Sequence, residues 1–536
     1  MLNTVCNKKY RKIWMFPRPK RKIPPWFLSQ TCKLLSLQIE EGWGGDQKIQ
    51  DEFCSLLERT KLKRSGVQYC SNSGGPRTYM AQLKCLGLVF KRKDGTLWFT
   101  RAGEQLLTGS SPLIILQKLL LRLQYPSPYS LSKGVLIDHN IKIKPFQFVL
   151  SLMSNEKGLG YITLEELIIP VIYGHSEKDF AKCKSKIEEI RRGTSILKVI
   201  DSIDDLWTPR GKNRTVEASL KDIKDIANTV KNYLQSAQLI IEVDVDGRVG
   251  YEVDPDMNEF INQEVARGEF FTNPEEEEYF QRRYGCLDRK KDIRTLKRYS
   301  GVKDKLTTIK DIIRADFVEF CGKNVVSGIP DDFLNQMIEF HGVSVNDVTE
   351  AIEPLLKKSL SFFEEKFLSL SKGEGSSNDF EEVLTSIFQQ KLFFKATNTS
   401  KRQRPPGEIG GYGDILVVEL GNECCGIIDA KASPRYSLSS DDYFKMLENY
   451  IPNYQELPEA LGKKLEFCLY VAGGFNQTSI QNKLSAFSKT ASVPVSAITA
   501  RNLLALCETF TKSQDQVNIR EVFKKGKLIE KDDFSG

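Results

Sequence analysis

Two aspartates and a lysine stand where a short hairpin would bring them together. The segment GYGDILVVELGNECCGIIDAKAS holds two apolar runs separated by Gly421-Asn422, a favoured two-residue hairpin turn. In a hairpin centred on that turn, the numbers of opposed residues add to 843, so Asp414 faces Asp429 with Cβ atoms roughly 5 Å apart. Strand alternation puts Lys431 on the same face as Asp429. The sequence thus predicts a cluster of two carboxylates and one ammonium group.

This cluster has the composition of a magnesium site. Opposed carboxylates destabilise a plain sheet, so the pair indicates that a cation lies between them. Mg²⁺ is bound in proteins by one or two carboxylates plus phosphate oxygens and waters. Glu381, on the preceding amphipathic segment DFEEVLTSIFQQ, is the natural further ligand, with Glu382 as the alternate. We therefore expect Asp414, Asp429 and Glu381 to bind Mg²⁺.

The chemistry that such a site permits is phosphodiester hydrolysis. The metal would polarise the scissile phosphate and lower the pKa of a bound water. Lys431 would orient that water or help to deprotonate it, and would offset the charge of the phosphorane. A lone acidic-x-Lys triplet is weak, since the chain also holds Glu364-Glu-Lys366 in a helical context. The upstream Asp414 and the apolar strand that leads to Asp429 favour catalysis over a structural charge cluster.

Composition limits the class of protein that positions this cluster. A chain of 536 residues with 40% hydrophobic and 27% charged residues predicts a folded protein of two to four domains. Three histidines are too few for a histidine-based metallohydrolase, and 12 scattered cysteines without a CxxC pair indicate reduced thiols. No long apolar run or secretory signal is visible, so we expect a cytoplasmic protein without membrane spans.

The positive charge is concentrated at the front of the chain. The net charge is +7, yet residues 1–110 hold 20 Lys and Arg against eight Asp and Glu. Prolines break helical amphipathicity there, which disfavours a membrane patch; a solvated tail is the other alternative. Basic residues interleaved with Trp14 and Phe16 favour a polyanion. The candidate contacts to DNA in this segment are Arg18, Lys20, Arg21 and Lys22.

Residues 77–104 have the pattern of a winged helix. They predict a helix, a strand at Leu88–Phe90, a charged turn, a strand at Leu97–Thr100 and a helix that opens at Ala102. In winged helices the first of these helices enters the major groove of DNA, although the motif also mediates protein contacts. The candidate recognition residues on this helix are Arg77, Tyr79 and Gln82. Residues 217–254 repeat the order of helix and hairpin.

The rest of the chain predicts a linker and a last domain. Residues from Asn258 to about Lys372 are mainly helical and strongly charged in pattern, and Gly373–Asn378 is a short breaker. We therefore expect a multidomain α/β (α+β) protein. Its predicted segments are a DNA-recognition region with winged-helix-like units (1–255), a helical linker (256–375) and a nuclease domain (376–536).

The chain resembles the AlwI-type group of type IIS restriction endonucleases and their nicking relatives, within the PD-(D/E)xK nuclease superfamily. The resemblance covers most of the chain. It is carried by WMFPRP at 14–19, RTYMAQLKCLGLVF at 77–90, LWFTRAGEQL at 97–106, LQYPSPYS at 123–130, KPFQFVLSLM at 144–153 and DIANTVKNYLQSAQLI at 225–240.

The resemblance implies a domain that reads a short asymmetric duplex site, a helical linker, and a nuclease domain that cuts a few base pairs outside the site with Mg²⁺. Glu381, Asp414, Asp429 and Lys431 match the catalytic pattern of the group. Gly413 stands where many members have proline, which changes the motif's name more than its chemistry.

Other functions remain open at this stage. A catalytically inert DNA-binding protein and a structure-selective repair or transposition nuclease are the alternatives from other classes. Because a single carboxylate–lysine unit cuts one strand, duplex cleavage needs a transient homodimer or a small nuclease subunit; otherwise the protein is a nicking enzyme. The amphipathic stretch at 436–451 could supply a dimer contact. A companion methyltransferase is the expected partner of a restriction enzyme.

Overall fold

The computed structural model describes residues 10–17, 25–36, 47–59, 74–93, 95–108, 110–131, 136–200, 216–266, 269–287, 292–294, 305–326, 328–404, 408–409, 411–421, 423–510 and 515–534. The chain divides into two compact units, residues 1–315 and 316–536. The mixture of helices and strands agrees with the expected α/β (α+β) class. The predicted ends of the recognition region at 255 and of the linker at 375 separate functional segments. The division into compact units does not test them.

The first unit is mostly helical, with two small antiparallel sheets. Its elements are α1 (Pro25–Ser36), α2 (Gln47–Arg59), α3 (Gly74–Cys85), β1 (Val89–Lys91), β2 (Leu97–Phe99), α4 (Arg101–Leu107), α5 (Pro112–Arg122), α6 (Pro145–Met153), β3 (Ile162–Thr163), α7 (Ile168–Tyr173), α8 (Phe180–Arg191), α9 (Ile196–Val199), α10 (Val216–Ser236), β4 (Ile240–Val245), β5 (Arg248–Val253), α11 (Asn258–Ala266), α12 (Glu277–Tyr284) and α13 (Lys305–Cys321), within which the boundary falls.

Both predicted combinations of helix and hairpin are confirmed. β1 pairs antiparallel with β2 directly after α3, and α4 follows with Thr100 as its N-cap. α10 leads into the β4–β5 hairpin, which β3 joins as a third strand. Asp246 and Gly247 form its turn and both have positive φ, a conformation in which glycine is unstrained.

The aromatic residues near the start of the chain belong to the core of the first unit. Trp14 and Phe16 are buried, and Nε1 of Trp14 donates a hydrogen bond to the carbonyl oxygen of Gly174 at 2.7 Å. Phe16 packs on Phe146 with ring centroids 5.5 Å apart. The interleaving of aromatic and basic residues that indicated nucleic acid therefore reflects core packing at these two positions.

The acidic segment around Glu277 packs on the first hairpin. Glu277 Oε1 accepts hydrogen bonds from Nζ of Lys84 at 2.9 Å and from the backbone N–H of Lys91 at 2.7 Å. Glu278 pairs with Arg92 at 3.1 Å. Two of the basic side chains in the winged-helix pattern are therefore neutralised within the first unit.

The second unit is a mixed sheet covered by helices. After α13 come α14 (Asp331–His341), α15 (Val345–Ile352), α16 (Ser359–Ser371), α17 (Ser377–Gln390), β6 (Lys395–Asn398), β7 (Gln403–Arg404), β8 (Glu408–Ile409), β9 (Ile415–Val418), β10 (Cys424–Ala430), α18 (Ser440–Phe444), a π-helical turn (Lys445–Tyr450), α19 (Ile451–Asn453), β11 (Lys464–Ala472), α20 (Gln477–Thr490), β12 (Val495–Thr499), α21 (Ala500–Thr509), α22 (Gln516–Phe523) and β13 (Leu528–Ile529).

The main sheet has the order β13-β12-β11-β10-β9-β6. β9 pairs antiparallel with both β6 and β10, whereas β10, β11, β12 and β13 are mutually parallel. β10 is central, and Gly426 lets the ring of Phe467 lie directly on its backbone: a Cβ atom there would be 2.3 Å from Cζ. The strand that carries Asp429 is therefore fixed by packing on both sides. Within the described parts of the chain, no helix is long and apolar enough to cross a membrane.

Candidate active site

The β9–β10 hairpin brings the two aspartates together as the sequence predicts. Val418 pairs with Cys425 and Ile415 with Ile428, so opposed residue numbers add to 843 and the next pair is Asp414 and Asp429. Asn422, half of the predicted turn, lies outside the described residues. The predicted register is confirmed, because turn position and strand alternation together leave one pairing that buries both apolar runs.

Asp414 is held in a strongly perturbed environment. Burial raises the pKa of its carboxyl to about 9, and the charge of Asp429 and a hydrogen bond with Asp429 act in the same direction. The charge of Glu381 adds to the effect, while a hydrogen bond from the backbone N–H of Ala430 to Oδ2, 2.8 Å long, opposes it. Without a cation, the pair therefore retains a proton at neutral pH.

A buried carboxylate oxygen near this pair has no hydrogen-bond partner among the described residues: Oε2 of Glu381, on a residue that is 7% exposed. Asp429 is only 1% exposed, and its Oδ2 atom has the Lys431 ammonium group as an ion-pair partner. A buried carboxylate oxygen without a partner costs free energy unless a proton or a cation satisfies it. In the described part of the chain no three acidic, histidine or cysteine side chains enclose a metal position by themselves. Mg²⁺ needs only one or two carboxylates with phosphate and water, so the residues fit this ion.

Lys431 follows the second aspartate and lies beside it. Its Nζ atom is 3.0 Å from Oδ2 of Asp429 in an ion pair and donates a hydrogen bond to Oδ1 of Asp442, also at 3.0 Å. Burial alone would lower the pKa of the ammonium group, but the charge of Asp429 and the charge and hydrogen bond of Asp442 raise it above the ordinary value. The lysine is therefore held as a cation at the end of β10.

The two glutamates left open by the sequence have different surroundings. Glu381 is buried on α17 and acts electrostatically on Asp414. Glu382 is exposed and lines a separate cavity with Lys323 and Lys366. Neighbouring positions on a helix point about 100° apart, so only one of them can face the sheet. The geometry favours Glu381 as the helix carboxylate.

The candidate DNA contacts are only partly visible. The four basic residues Arg18, Lys20, Arg21 and Lys22 lie outside the described residues. On α3, Arg77 is exposed and its Nε donates to Oε1 of Gln50 at 2.9 Å. Tyr79 is half-buried and stacks on Phe27, and Gln82 is only 3% exposed. Arg77 is therefore the one of these three helix candidates that stands fully at the surface.

Asp442 is the member of the site that sequence reasoning missed. The sequence pattern places it only within the amphipathic stretch at 436–451. Ser439 and Asp442 form a Ser-x-x-Asp pattern that could have placed the carboxylate at the start of a helix. Nothing in the spacing could have placed that helix start beside Lys431.

Part of the second unit is similar to a known family. Residues 342–530 match the family described as FokI, cleavage domain. The match contains Glu381, Asp414, Asp429 and Lys431. No curated protein matches the chain at a significant level.

Solved structures were also compared with the chain. The structure of restriction endonuclease FokI is 10% identical over 97% of this chain and 100% of its own, with a TM-score of 0.28; FokI bound to DNA gives 11% with the same coverage and TM-score. The BpuJ1 endonuclease binding domain in complex with modified DNA is 16% identical over 52% of this chain and 96% of its own, with a TM-score of 0.33. TM-scores this low establish no common fold. Of these comparisons, only the match to the FokI cleavage domain therefore bears on the function of the chain.

Asp414→Asn should remove a pH-dependent loss of stability in metal-free buffer. Because the pKa of Asp414 is raised from 3.8 to about 9, its stabilising effect is complete below the lower value and is lost as the pH rises through the higher one. In EDTA, the free energy of unfolding of the wild type should fall relative to Asp414→Asn by up to about 1.4 kcal/mol per pH unit in that window. Urea unfolding between about pH 5 and about pH 8 measures the difference.

The exposed carboxylate of Asp441 provides the control, since Asp441→Asn should follow the wild type. Added Ca²⁺ should raise the unfolding midpoint of the wild type more than that of Asp414→Asn, because a ligand stabilises the state that binds it. A marked loss of stability in Asp429→Asn at every pH would instead favour a structural charge cluster.

Proposed function

We propose how this type IIS site-specific DNA endonuclease cleaves its substrate. Residues 1–255 bind a short asymmetric duplex sequence. The Asp414–Asp429–Lys431 cluster hydrolyses a phosphodiester bond a few base pairs away with Mg²⁺. The observation that carries the proposal is the buried, opposed carboxylate pair with an adjacent lysine, inside a region that matches the FokI cleavage domain. Residues 256–375 are the helical linker and 376–536 the nuclease domain.

The finer family placement is also a proposal. Within type IIS enzymes we assign the chain to the AlwI-type group, on the sequence elements at 77–90, 97–106 and 123–130. The α3–β1–β2 and α10–β4–β5 arrangements support winged-helix-like units in the recognition region. A restriction enzyme of this group acts in the cytoplasm, where host DNA needs protection, so a companion methyltransferase is expected.

The proposed mechanism divides the chemistry among three kinds of side chain. Asp414 and Asp429, with Glu381 close by, would bind Mg²⁺, which requires Asp414 to be deprotonated. The chemistry that Mg²⁺ would supply there is polarisation of the scissile phosphate and a lower pKa for the attacking water. Lys431, which as an ammonium group only donates hydrogen bonds, orients the attacking water and offsets the charge that develops on the phosphorane.

Double-strand cleavage needs a second catalytic centre. The antiparallel strands of DNA present opposite polarities, so one nuclease unit cuts one strand per engagement. We propose a transient homodimer through the helical stretch at 436–451. Phe444 is 50% exposed there, whereas Leu447 and Ile451 pack partly against the core of their own unit. Phe444 is therefore the apolar side chain of this stretch that remains available to a partner; a small nuclease subunit and a nicking enzyme are the other outcomes.

Lys431→Ala should abolish cleavage in Mg²⁺ and leave specific binding in Ca²⁺ nearly intact. The lysine acts on the reaction, while binding depends on the recognition region. Cleavage of a plasmid and gel-shift affinity for the same site measure the two properties. Lys464→Ala, which removes an exposed ammonium group paired with Glu466, is the matched control and should cleave normally. Near-normal cleavage by Lys431→Ala would reject the assignment.

Arg77→Ala should weaken binding to the recognised site more than binding to unrelated DNA. A side chain that reads a base contributes about 1–3 kcal/mol of discrimination, or about 5- to 150-fold in affinity. Affinities of the full chain in Ca²⁺ for both kinds of duplex measure the effect. Arg192→Ala removes another exposed arginine of the first unit and should change neither affinity.

The basic segment at the front should act through phosphates instead. Replacing Lys20, Arg21 and Lys22 together should weaken binding to all sequences and flatten the salt dependence by about 0.9 log units per log unit of salt for each lost phosphate contact. Binding that is insensitive to salt in the wild type would contradict this role.

Phe444→Ala should slow the conversion of nicked to linear plasmid and leave the first nick unchanged. On the dimer model, linear product from a plasmid with one site rises more than linearly with enzyme concentration, because the second cut requires a second copy. Val517→Ala, at an exposed apolar residue on α22, is the matched control. Open circles that never become linear at any concentration would show a nicking enzyme or a lone large subunit.

A further inference from the structure

Lys431 has a second carboxylate partner besides the proposed metal ligand. Its Nζ atom lies 3.0 Å from Oδ2 of Asp429 and 3.0 Å from Oδ1 of Asp442, and 5.7 Å from the ring centroid of Tyr436. Asp442 is 11 positions further along the chain, on α18, and belongs to neither strand of the β9–β10 hairpin. The ammonium group is thus bridged between the end of β10 and the start of a helix.

The Asp442 carboxylate is itself fixed from several sides. The hydroxyl groups of Tyr436 and Ser439 both donate to Oδ2, at 2.9 Å and 2.7 Å. The backbone N–H of Asp442 donates to Ser439 Oγ at 3.0 Å, and its carbonyl oxygen accepts from the hydroxyl of Tyr470 at 3.2 Å. With Oδ2 occupied by two donors, Oδ1 is the oxygen left for Lys431.

A divalent cation changes the balance between the two partners. If Mg²⁺ were bound by Asp429, the charge of that carboxylate would be shared with the metal, and the metal would repel the Lys431 ammonium group. A lysine side chain is long and flexible, so it needs a fixed counter-charge to stay in a productive position. Asp442 is the carboxylate in contact with Lys431 that is not a proposed metal ligand.

We infer that Asp442 is a positioning residue for DNA cleavage: it holds the Lys431 ammonium group at the scissile phosphate while Asp429 binds the metal. Tyr436 and Ser439 fix the carboxylate that does so. The inference rests on the proposed nuclease function and adds to it a residue from outside the catalytic hairpin.

The test is the first-strand nicking rate of the full chain in Mg²⁺, measured in a single turnover with enzyme in excess. A single nuclease unit makes this nick, so dimerisation does not affect it. Asp442→Asn keeps the size of the side chain and removes its charge. We expect its nicking rate to fall about 10- to 100-fold, as for other partners that orient a catalytic group, and its affinity for DNA in Ca²⁺ to stay within about twofold, since only the chemical step uses the lysine.

The chain offers a matched control for the loss of a helix cap. Asp347 is the third residue of α15 and exchanges the same two hydrogen bonds with Ser344 as Asp442 does with Ser439. None of the proposed catalytic residues lies on α15. Asp347→Asn should lose similar thermal stability and nick DNA at the wild-type rate. Equal losses of rate in the two variants would show a merely structural role and overturn the inference.

Two further variants separate positioning from folding. Tyr436→Phe keeps the charge and the cap but removes one hydrogen bond to Asp442, and should lower the nicking rate about three- to tenfold. It also decides the matter if Asp442→Asn does not fold: a wild-type rate in Tyr436→Phe would then overturn the inference. In a chain that already carries Asp442→Asn, Tyr436→Phe should cause no further loss of the nicking rate, because the tyrosine acts through the charge of the missing carboxylate.

Failure of the nuclease function and failure of the positioning role of Asp442 give different results. A wild type that does not cut DNA in Mg²⁺ rejects the nuclease function. A wild type that cuts, with an inactive Lys431→Ala and a fully active Asp442→Asn, rejects only the positioning role of Asp442.

Discussion

The opposition of Asp414 and Asp429 is the constraint on which the second unit depends. Two carboxylates at adjacent ends of β9 and β10 repel each other, and burial removes the water that would screen them. A retained proton resolves this conflict in the metal-free protein, and the divalent cation proposed for the active protein would resolve it as well. Asp429 lies on β10, a central and buried strand of the main sheet. The ring of Phe467 packs directly on the backbone of this strand at Gly426.

The Lys431 ammonium group is held partly by a residue from outside the β9–β10 hairpin. Strand alternation puts Lys431 beside Asp429, but its second contact comes from the start of α18. Ser439 caps the start of this helix, and the hydroxyl of Tyr436 donates a hydrogen bond to the Asp442 carboxylate. Contacts from two independent elements, β10 and α18, thus hold the flexible Lys431 side chain in one orientation. Holding a side chain in this way preorganises it for a reaction.

In the first unit, the basic residues in the sequence do not all add positive charge to the surface. Lys84 and Arg92 flank the first hairpin, and both pair with glutamates of the α12 region. Trp14, which stands among basic residues, is a buried core residue. Arg77 on α3 is exposed and donates a hydrogen bond to the neutral side chain of Gln50. Electrostatic attraction to DNA therefore depends on which basic side chains the fold does not pair with a carboxylate.

The sequence by itself determined what short-range rules govern. The turn at 421–422 and the period of two along a strand gave the register of Asp414 with Asp429 and the side of Lys431, and both helix–hairpin patterns followed from local periodicity. Only the tertiary structure decided which carboxylate of α17 is buried, that Gln82 is interior, and that Asp442 meets Lys431. These facts depend on contacts between segments whose packing, and not their spacing along the chain, sets the distance between side chains.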